Sequence, residues 1–210
     1  MRVKGKAAHA GVEIEKGANA ILELAHQIIA FHRLHGLAPG VTVSAGLIKG
    51  GTLYNVVPAE AWVEIDVRAE TQAGVEALRQ AVTGQAGHTT VPGTQVHLEG
   101  DLHYPPMTTT PATTFLVDLA RRAAGELGFE IKGAATGGAS DANLIAGLGL
   151  PVLDGLGPVG GLDHSPDEYI EQASIVPRTA MLVGLIQHIL AEREHLITWR
   201  DQGTVSFGTL

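Results

Sequence analysis

The sequence predicts an α/β chain in two parts, a ferredoxin-like βαββαβ sandwich followed by a shorter piece of parallel α/β structure. Three observations carry that expectation. Two alternating apolar–polar runs, Val41–Leu47 and Ala61–Arg68, flank a Gly50-Gly51 turn, which reads as an antiparallel hairpin. A helical periodicity lies on each side of that hairpin. Past a stretch with three Pro and three Thr, Tyr104–Pro111, the pattern changes to helix, strand, helix, strand, helix.

Taken in order, Arg2–Gly11 reads as short and β-like. Gly17 opens a helical stretch with Ile21, Leu24, Ala25, Ile28 and Phe31 on one face, ending near Gly36 ahead of Pro39-Gly40. The hairpin follows, then a helix over Ala73–Val82 with Val75, Leu78 and Val82 inward. A loop, Thr83–Gly93, leads to a last strand, Gln95–Leu102. In the second part a helix is expected over Ala112–Leu127, with Leu116, Leu119, Ala120 and Ala123 inward. Strands are expected at Phe129–Ala135 and Pro151–Leu153, with a short helix at Ser140–Gly147 between them. A glycine-rich loop, Gly155–Gly161, precedes a final helix, Val176–Arg193, with Met181, Leu182, Leu185, Ile186 and Ile189 on one face. Two strands cannot bury three helices, so this second part is short of a whole domain. The division is residues 1–107, 108–196 and a tail, 197–210, expected to be a poorly ordered extension.

Composition excludes several classes. With no cysteine there is no disulfide framework and no thiolate metal site, so any metal must be held by the 10 His and 22 Asp/Glu. A formal net charge of −8 argues against a nucleic-acid binder that works by neutralising phosphates. No run approaches 18 apolar residues, and Met-Arg-Val-Lys-Gly-Lys lacks the apolar stretch of a signal peptide. A cytoplasmic protein with no membrane partner is expected.

Three places carry chemistry. His9 stands among small residues in Lys6-Ala-Ala-His9-Ala-Gly11, where an imidazole has room to donate to a developing oxyanion or a carboxylate. From local sequence alone, an exposed histidine at a turn is the favoured reading. Arg68, on the polar face of its strand, has the planar fork that suits a carboxylate, and Asn55 in the loop before that strand offers an amide to the same ligand. The alternative is an ion pair of Arg68 with Asp66, Glu64 or a neighbouring strand's carboxylate. Third, Thr136-Gly137-Gly138-Ala-Ser-Asp141 and Gly155-Leu-Gly-Pro-Val-Gly-Gly-Leu-Asp-His164 follow the two expected strands, where open α/β sheets place ligands. His164 is a candidate metal ligand, with Asp163 or Glu168 to orient it, yet a metal site needs three or four such groups.

Together these motifs resemble the zinc-dependent aminoacylase, glutamate carboxypeptidase and succinyl-diaminopimelate desuccinylase superfamily. The carrying segments are Val3–Ile21, Gly50–Ala61, Glu64-Ile-Asp-Val-Arg68, Gly137–Asn143 and Gly155–Tyr169, in the right order across residues 2–193. Within that superfamily the resemblance is greatest to the glutamate carboxypeptidase branch. It implies a lid, or dimerisation, domain followed by the C-terminal portion of an α/β zinc-peptidase catalytic domain. By the same resemblance His164 is the terminal ligand of one of two Zn2+ ions, with Co2+ a possible substitute. His9 reaches across a homodimer to stabilise the oxyanion, Arg68 and Asn55 hold the substrate carboxylate, and Gly137 and Gly138 line the pocket. The implied reaction is metal-dependent hydrolysis of an amide bond beside a free carboxylate, in an N-acyl amino acid or small peptide.

The family's catalytic domain also uses a His-x-Asp motif and a Glu-Glu pair, and this sequence contains neither. The expectation is therefore a truncated hydrolase that does not retain zinc and is inactive alone, its missing half coming from a longer product or a separate chain. The competing expectation is a non-catalytic dimerisation or interaction module derived from such an enzyme.

Overall fold

The computed structural model describes residues 1–85 and 87–201, with side chains through Ile197. The chain divides into two compact units, Met1–His103 and a second beginning at Tyr104.

The first unit contains β1 (Arg2–Lys4), α1 (Ala20–His32), β2 (Thr42–Gly50), β3 (Glu60–Arg68), α2 (Gln72–Gln85) and β4 (Gln95–His97). All four strands pair antiparallel in the order β2-β3-β1-β4, the βαββαβ sandwich expected from the alternating hairpin. Pleating sends Val3, Ala61 and Val63 to one face, where they meet Ala20 and Leu24 of α1 in a fully buried cluster. Burying Val3, Val63 and Leu24 contributes about 1.5–3 kcal/mol each. A second cluster joins Phe31 of α1, Val41, Val43 of β2 and Leu78 of α2. The opposite face carries Arg2, Lys4, Glu64, Asp66 and Arg68, all exposed. β2 is a nine-residue edge strand, with a bulge between Ala45 and Leu47.

Several local expectations shift. The first strand stops at Lys4 because Gly5 lets the chain turn tightly against Ala18. A Cβ there would collide with the Ala18 carbonyl oxygen. Beyond it only isolated bridges form, Lys6 with Ala18 and His9 with Val56. α1 begins at Ala20, capped by the Asn19 side chain, which accepts the Leu22 N–H at 3.0 Å. Ile21 and Ala25, expected inward, are exposed, and Glu23 and Gln27 are buried in their stead. The reason is a long-range contact. The Glu23 carboxylate accepts the backbone N–H groups of Thr90 and Val91 at 2.7 and 2.6 Å, and Gln27 Nε2 donates to Glu23 and to the His88 carbonyl. This pins the loop after α2 to α1. The expected strand Gln95–Leu102 is cut to Gln95–His97, the stretch that finds β1 as partner.

The second unit contains α3 (Pro111–Glu126), α4 (Asp141–Gly147), β5 (Gly160–Gly161), β6 (Tyr169–Ile170), α5 (Gln172–Ala191) and α6 (Arg193–Asp201). Leu116, Leu119, Ala120 and Ala123 of α3 are buried as their periodicity predicts. Leu119, Ala120, Ala123 and Ala124 pack on Met181 and Leu185 of α5. α5 starts a turn before Val176, carries Pro177 inside it, and buries only Met181 and Leu185; Leu182 and Ile186, expected inward, are exposed. Phe129–Ala135 and Pro151–Leu153 join no ladder, so the two expected strands do not form as strands. Phe129, Ile131 and Leu153 nevertheless pack on the α3–α5 core. The first residues of the expected tail, 197–201, belong to α6; the remainder, 202–210, lies outside the described residues.

Candidate functional site

His9 and Asn55 are brought together by backbone pairing. The Ala10 N–H donates to the Asn55 carbonyl at 3.0 Å and the Val57 N–H to the Ala8 carbonyl at 2.9 Å, so the two residues lie side by side where the β2–β3 hairpin closes. Both are exposed. The His9 ring is oriented by its own loop, its Nδ1 accepting the Gly11 N–H at 3.1 Å. A neutral imidazole that accepts at Nδ1 carries its proton at Nε2, and that N–H is left as a donor.

Arg68 stands at the other end of the same strand. It pairs with Thr42 in the ladder, whereas Ala61 pairs with Gly50 beside the Asn55 loop. The intervening strand is about 20 Å long, so Arg68 and Asn55 of one chain do not share a ligand. The Arg68 Nε donates to Asp66 Oδ2 at 2.7 Å, both side chains being half exposed. That pair is the alternative raised by the sequence, and in water it contributes little to stability.

In the second unit, Gly137 and Gly138 precede α4. The Gly138 N–H donates to Thr136 Oγ1 at 3.3 Å. Ser140 caps α4, its Oγ accepting the Ala142 N–H while Asn143 Oδ1 accepts the Ser140 N–H at 2.9 Å, a reciprocal capping arrangement. The same Ser140 hydroxyl donates to Asp154 Oδ2 at 2.6 Å, and the Gly155 N–H donates to Asp154 Oδ1 at 2.8 Å. These two bonds hold the Asp154 carboxyl below its ordinary range, outweighing partial burial. The Ser140–Asp154 link ties the two glycine-rich loops to each other. Asp154 was not among the candidates from sequence; its signal was its place at the end of the apolar run Pro151–Leu153, just before Gly155.

His164 sits in the turn between β5 and β6, with Gly160 paired to Ile170 and Gly161 to Tyr169. Its φ is 65°, and Leu162 two residues earlier has φ 61°, a left-handed region that non-glycine residues seldom occupy. The Glu168 carboxylate accepts the backbone N–H of His164 at 3.2 Å, so Glu168 shapes the turn through the main chain. Among the described residues no group of three or more His, Asp or Glu is placed to hold a metal ion. The residues present therefore do not fit a zinc centre by themselves.

The peptidase dimerisation domain family matches residues 1–94. Carboxypeptidase G2 of a Pseudomonas species is 29% identical over 194 residues, which are 90% of this chain and 46% of that protein. A succinyl-diaminopimelate desuccinylase of Delftia acidovorans is 33% identical over 132 residues, 62% of this chain and 33% of the relative. The crystal structure of aminopeptidase PepT from Bacillus cereus superposes with a TM-score of 0.60 at 28% identity, over 90% of this chain and 50% of that one. The chain thus spans about half the length, or less, of the relatives it matches. Residues 1–94 thus match the peptidase dimerisation domain family, and the chain is similar over most of its length to hydrolases that include Carboxypeptidase G2 and, over 62% of it, to a succinyl-diaminopimelate desuccinylase.

Proposed function

We propose that this chain is the dimerising and substrate-recognising part of a metal-dependent hydrolase that cleaves an amide bond next to a free carboxylate. The observation that carries the reading is the bond from the Gly11 N–H to His9 Nδ1, which in a neutral imidazole leaves an Nε2–H to donate to an oxyanion. The names of the relatives support the substrate class. They include a p-aminobenzoyl-glutamate hydrolase subunit of Escherichia coli and an indole-3-acetyl-aspartic acid hydrolase of Enterobacter agglomerans, whose substrates are each an acyl group on an acidic amino acid. A guanidinium such as that of Arg68, released from Asp66, is the group that would clamp such a carboxylate. Because no group of three or more His, Asp or Glu among the described residues is placed to hold a metal, most of the ligands and the base that activates water have to come from outside them. We assign His164 to that centre as one ligand and Gly137-Gly138 to its wall.

Dimerisation gives the separated recognition residues a common place. β2 is an edge strand, and beside it α1 exposes Ile21, Leu22 and Ile29. Antiparallel addition of two β2 strands about a two-fold axis sets the Gly50 end of one against the Thr42 end of the other. His9 and Asn55 of one subunit then approach the partner's Arg68, and a substrate carboxylate is held between subunits.

A single-chain chimaera tests the reading. This chain replaces the matching 46% of Carboxypeptidase G2, and hydrolysis of N-benzoyl-glutamate is followed with added zinc. Turnover that falls on His9→Ala is expected; a chimaera that folds, binds zinc and does not hydrolyse the substrate overturns the proposal. A second reading, a dimerisation module without turnover, is favoured by the lack of a metal-holding cluster among the described residues. It predicts a stable dimer and no hydrolysis even in the chimaera.

A further inference from the structure

The open face of the β1–β4 sheet holds an indole that belongs to neither core cluster of the first unit. Lys49 of β2 pairs with Trp62 of β3, Trp62 with Arg2 of β1, and Arg2 with His97 of β4, so four side chains form one row across all four strands. Strands lie about 4.8 Å apart, which makes the row about 14 Å long. The alternate residues Val3, Ala61 and Val63 are buried against α1, so the row projects to the opposite side. Lys49, Arg2 and His97 are exposed, and Trp62 is half-buried among them. An indole is a large apolar surface to leave on a face that carries Lys4, Glu64, Asp66 and Arg68, and Trp in such a place is characteristic of binding surfaces.

Lys49 steadies the ring from the β2 side, its Nζ standing 5.5 Å from the ring centre in a cation–π contact. Toward β1 the indole borders a cleft of about 210 Å3, shared with Arg2, His97, Glu64 and Glu99. Met1 and Val63 complete its lining. Among the described residues Arg2 and His97 take part in no ion pair, although two carboxylates line the same cleft. A guanidinium with its donors to spare thus lies one strand away from an aromatic face.

We propose that this cleft binds a small aromatic monocarboxylate of the arylacetate type, its ring against Trp62 and its carboxylate on the Arg2 guanidinium, with the His97 imidazole beside it. Size, charge and spacing each narrow the class. Pockets for drug-sized ligands start at about 300 Å3, so this cleft suits a single ring with a short acid arm, and neither a nucleotide nor a peptide. Glu64 and Glu99 repel a second negative charge, which disfavours phosphate esters and dicarboxylates. The indole and the guanidinium start from neighbouring strands about 4.8 Å apart, a separation that one methylene between ring and acid spans while the flexible Arg2 stem takes up the rest. Neither a metal nor a second chain enters the site, so it stands apart from the hydrolase reading.

The test uses the whole chain and phenylacetate as the probe. Proton–nitrogen NMR of the chain carries two indole N–H signals, from Trp62 and Trp199, and Trp62→Phe identifies the first. Phenylacetate is expected to shift the Trp62 signal saturably, with a Kd of about 1 mM. Arg2→Gln is expected to weaken binding about tenfold and Arg2→Lys by less, since an ammonium keeps the charge but loses the two-pronged contact. Arg2 is exposed, so both variants should fold, and their melting temperatures check this. Trp62→Leu should weaken binding as well, read from the backbone amides of Arg2 and His97. Equal binding of acetate, displacement by inorganic phosphate, an Arg2→Gln variant that binds as before, or no saturation at about 20 mM would each overturn the proposal. Loss of binding in His9→Ala or Arg68→Ala would also overturn it, because the probe would then sit on the residues assigned to hydrolysis.

Discussion

His9 Nδ1 accepts the backbone N–H of Gly11 at 3.1 Å, so the ring is held by its own loop and presents Nε2 outward. A donor fixed in this way suits a charge that develops during a reaction, because no reorganisation is needed when the charge appears.

The tautomer is directly measurable. Nitrogen-15 NMR of the histidine ring at neutral pH should show His9 protonated at Nε2. In the chimaera, His9→Ala should lower kcat by about 100-fold, the loss typical of one oxyanion donor, with a smaller change in KM. An Nδ1–H tautomer, or a change confined to KM, would return His9 to a surface role.

For Arg68, the exposed pair with Asp66 predicts that Arg68→Ala leaves the melting temperature nearly unchanged. In the chimaera the same substitution should lower kcat/KM by about 2–3 kcal/mol, roughly 30- to 150-fold. Rescue by Arg68→Lys should be partial, since an ammonium cannot make the two-pronged contact. A full loss of fold with no separate kinetic effect would contradict the assignment.

Glu23 links pH to stability. Burial pushes its carboxyl up, but hydrogen bonds from Gln27, Val91 and Thr90, aided by the charge of His26, outweigh that and leave it below its ordinary value. A depressed folded-state value means the stabilisation is fully present above the unfolded value of about 4.3 and is lost as pH falls through the folded value. Denaturant titrations from pH 7 to pH 3 should show this loss, and Glu23→Ala should flatten part of it. That variant should cost about 1–3 kcal/mol at pH 7, since the part-buried N–H groups of Thr90 and Val91 lose their acceptor. It should also raise exchange at Thr90 and Val91.

Gly5→Ala should destabilise by about 2–3 kcal/mol, because the added methyl meets the Ala18 carbonyl where β1 turns away. Chemical denaturation reads this directly. An unchanged midpoint would mean that the 5–18 contact yields easily.

In the second unit, Ser140→Ala should raise the Asp154 carboxyl toward its ordinary range by removing the larger of the two bonds that lower it. Carbon-13 titration of the side-chain carboxyl checks the shift. An unmoved titration would leave the Gly155 N–H as the effective partner.

The alternating runs around Gly50-Gly51 were enough to specify the β2–β3 hairpin, because a period of two with apolar residues on one side has one way to bury them. The spacing of Leu116, Leu119, Ala120 and Ala123 likewise fixed the inward face of α3. The candidate residues His9, Asn55, Arg68, Gly137, Gly138 and His164 were visible as residue types in suggestive neighbourhoods. Their mutual placement was not, because it depends on pairings between distant segments.

Only the tertiary structure put Glu23 and Gln27 inside α1 ahead of Ile21 and Ala25. Their partners, His88, Thr90 and Val91, lie more than sixty residues along the chain, beyond any helical period. It also separated Asn55 from Arg68 by the length of β3 and joined Asn55 to His9, since a strand's pairing decides which of its ends meets another segment. Residues 129–135 show the same division. Their sequence set the alternation of a strand, but a strand exists only with a neighbour to share its hydrogen bonds, and sequence periodicity holds no record of whether that neighbour is present.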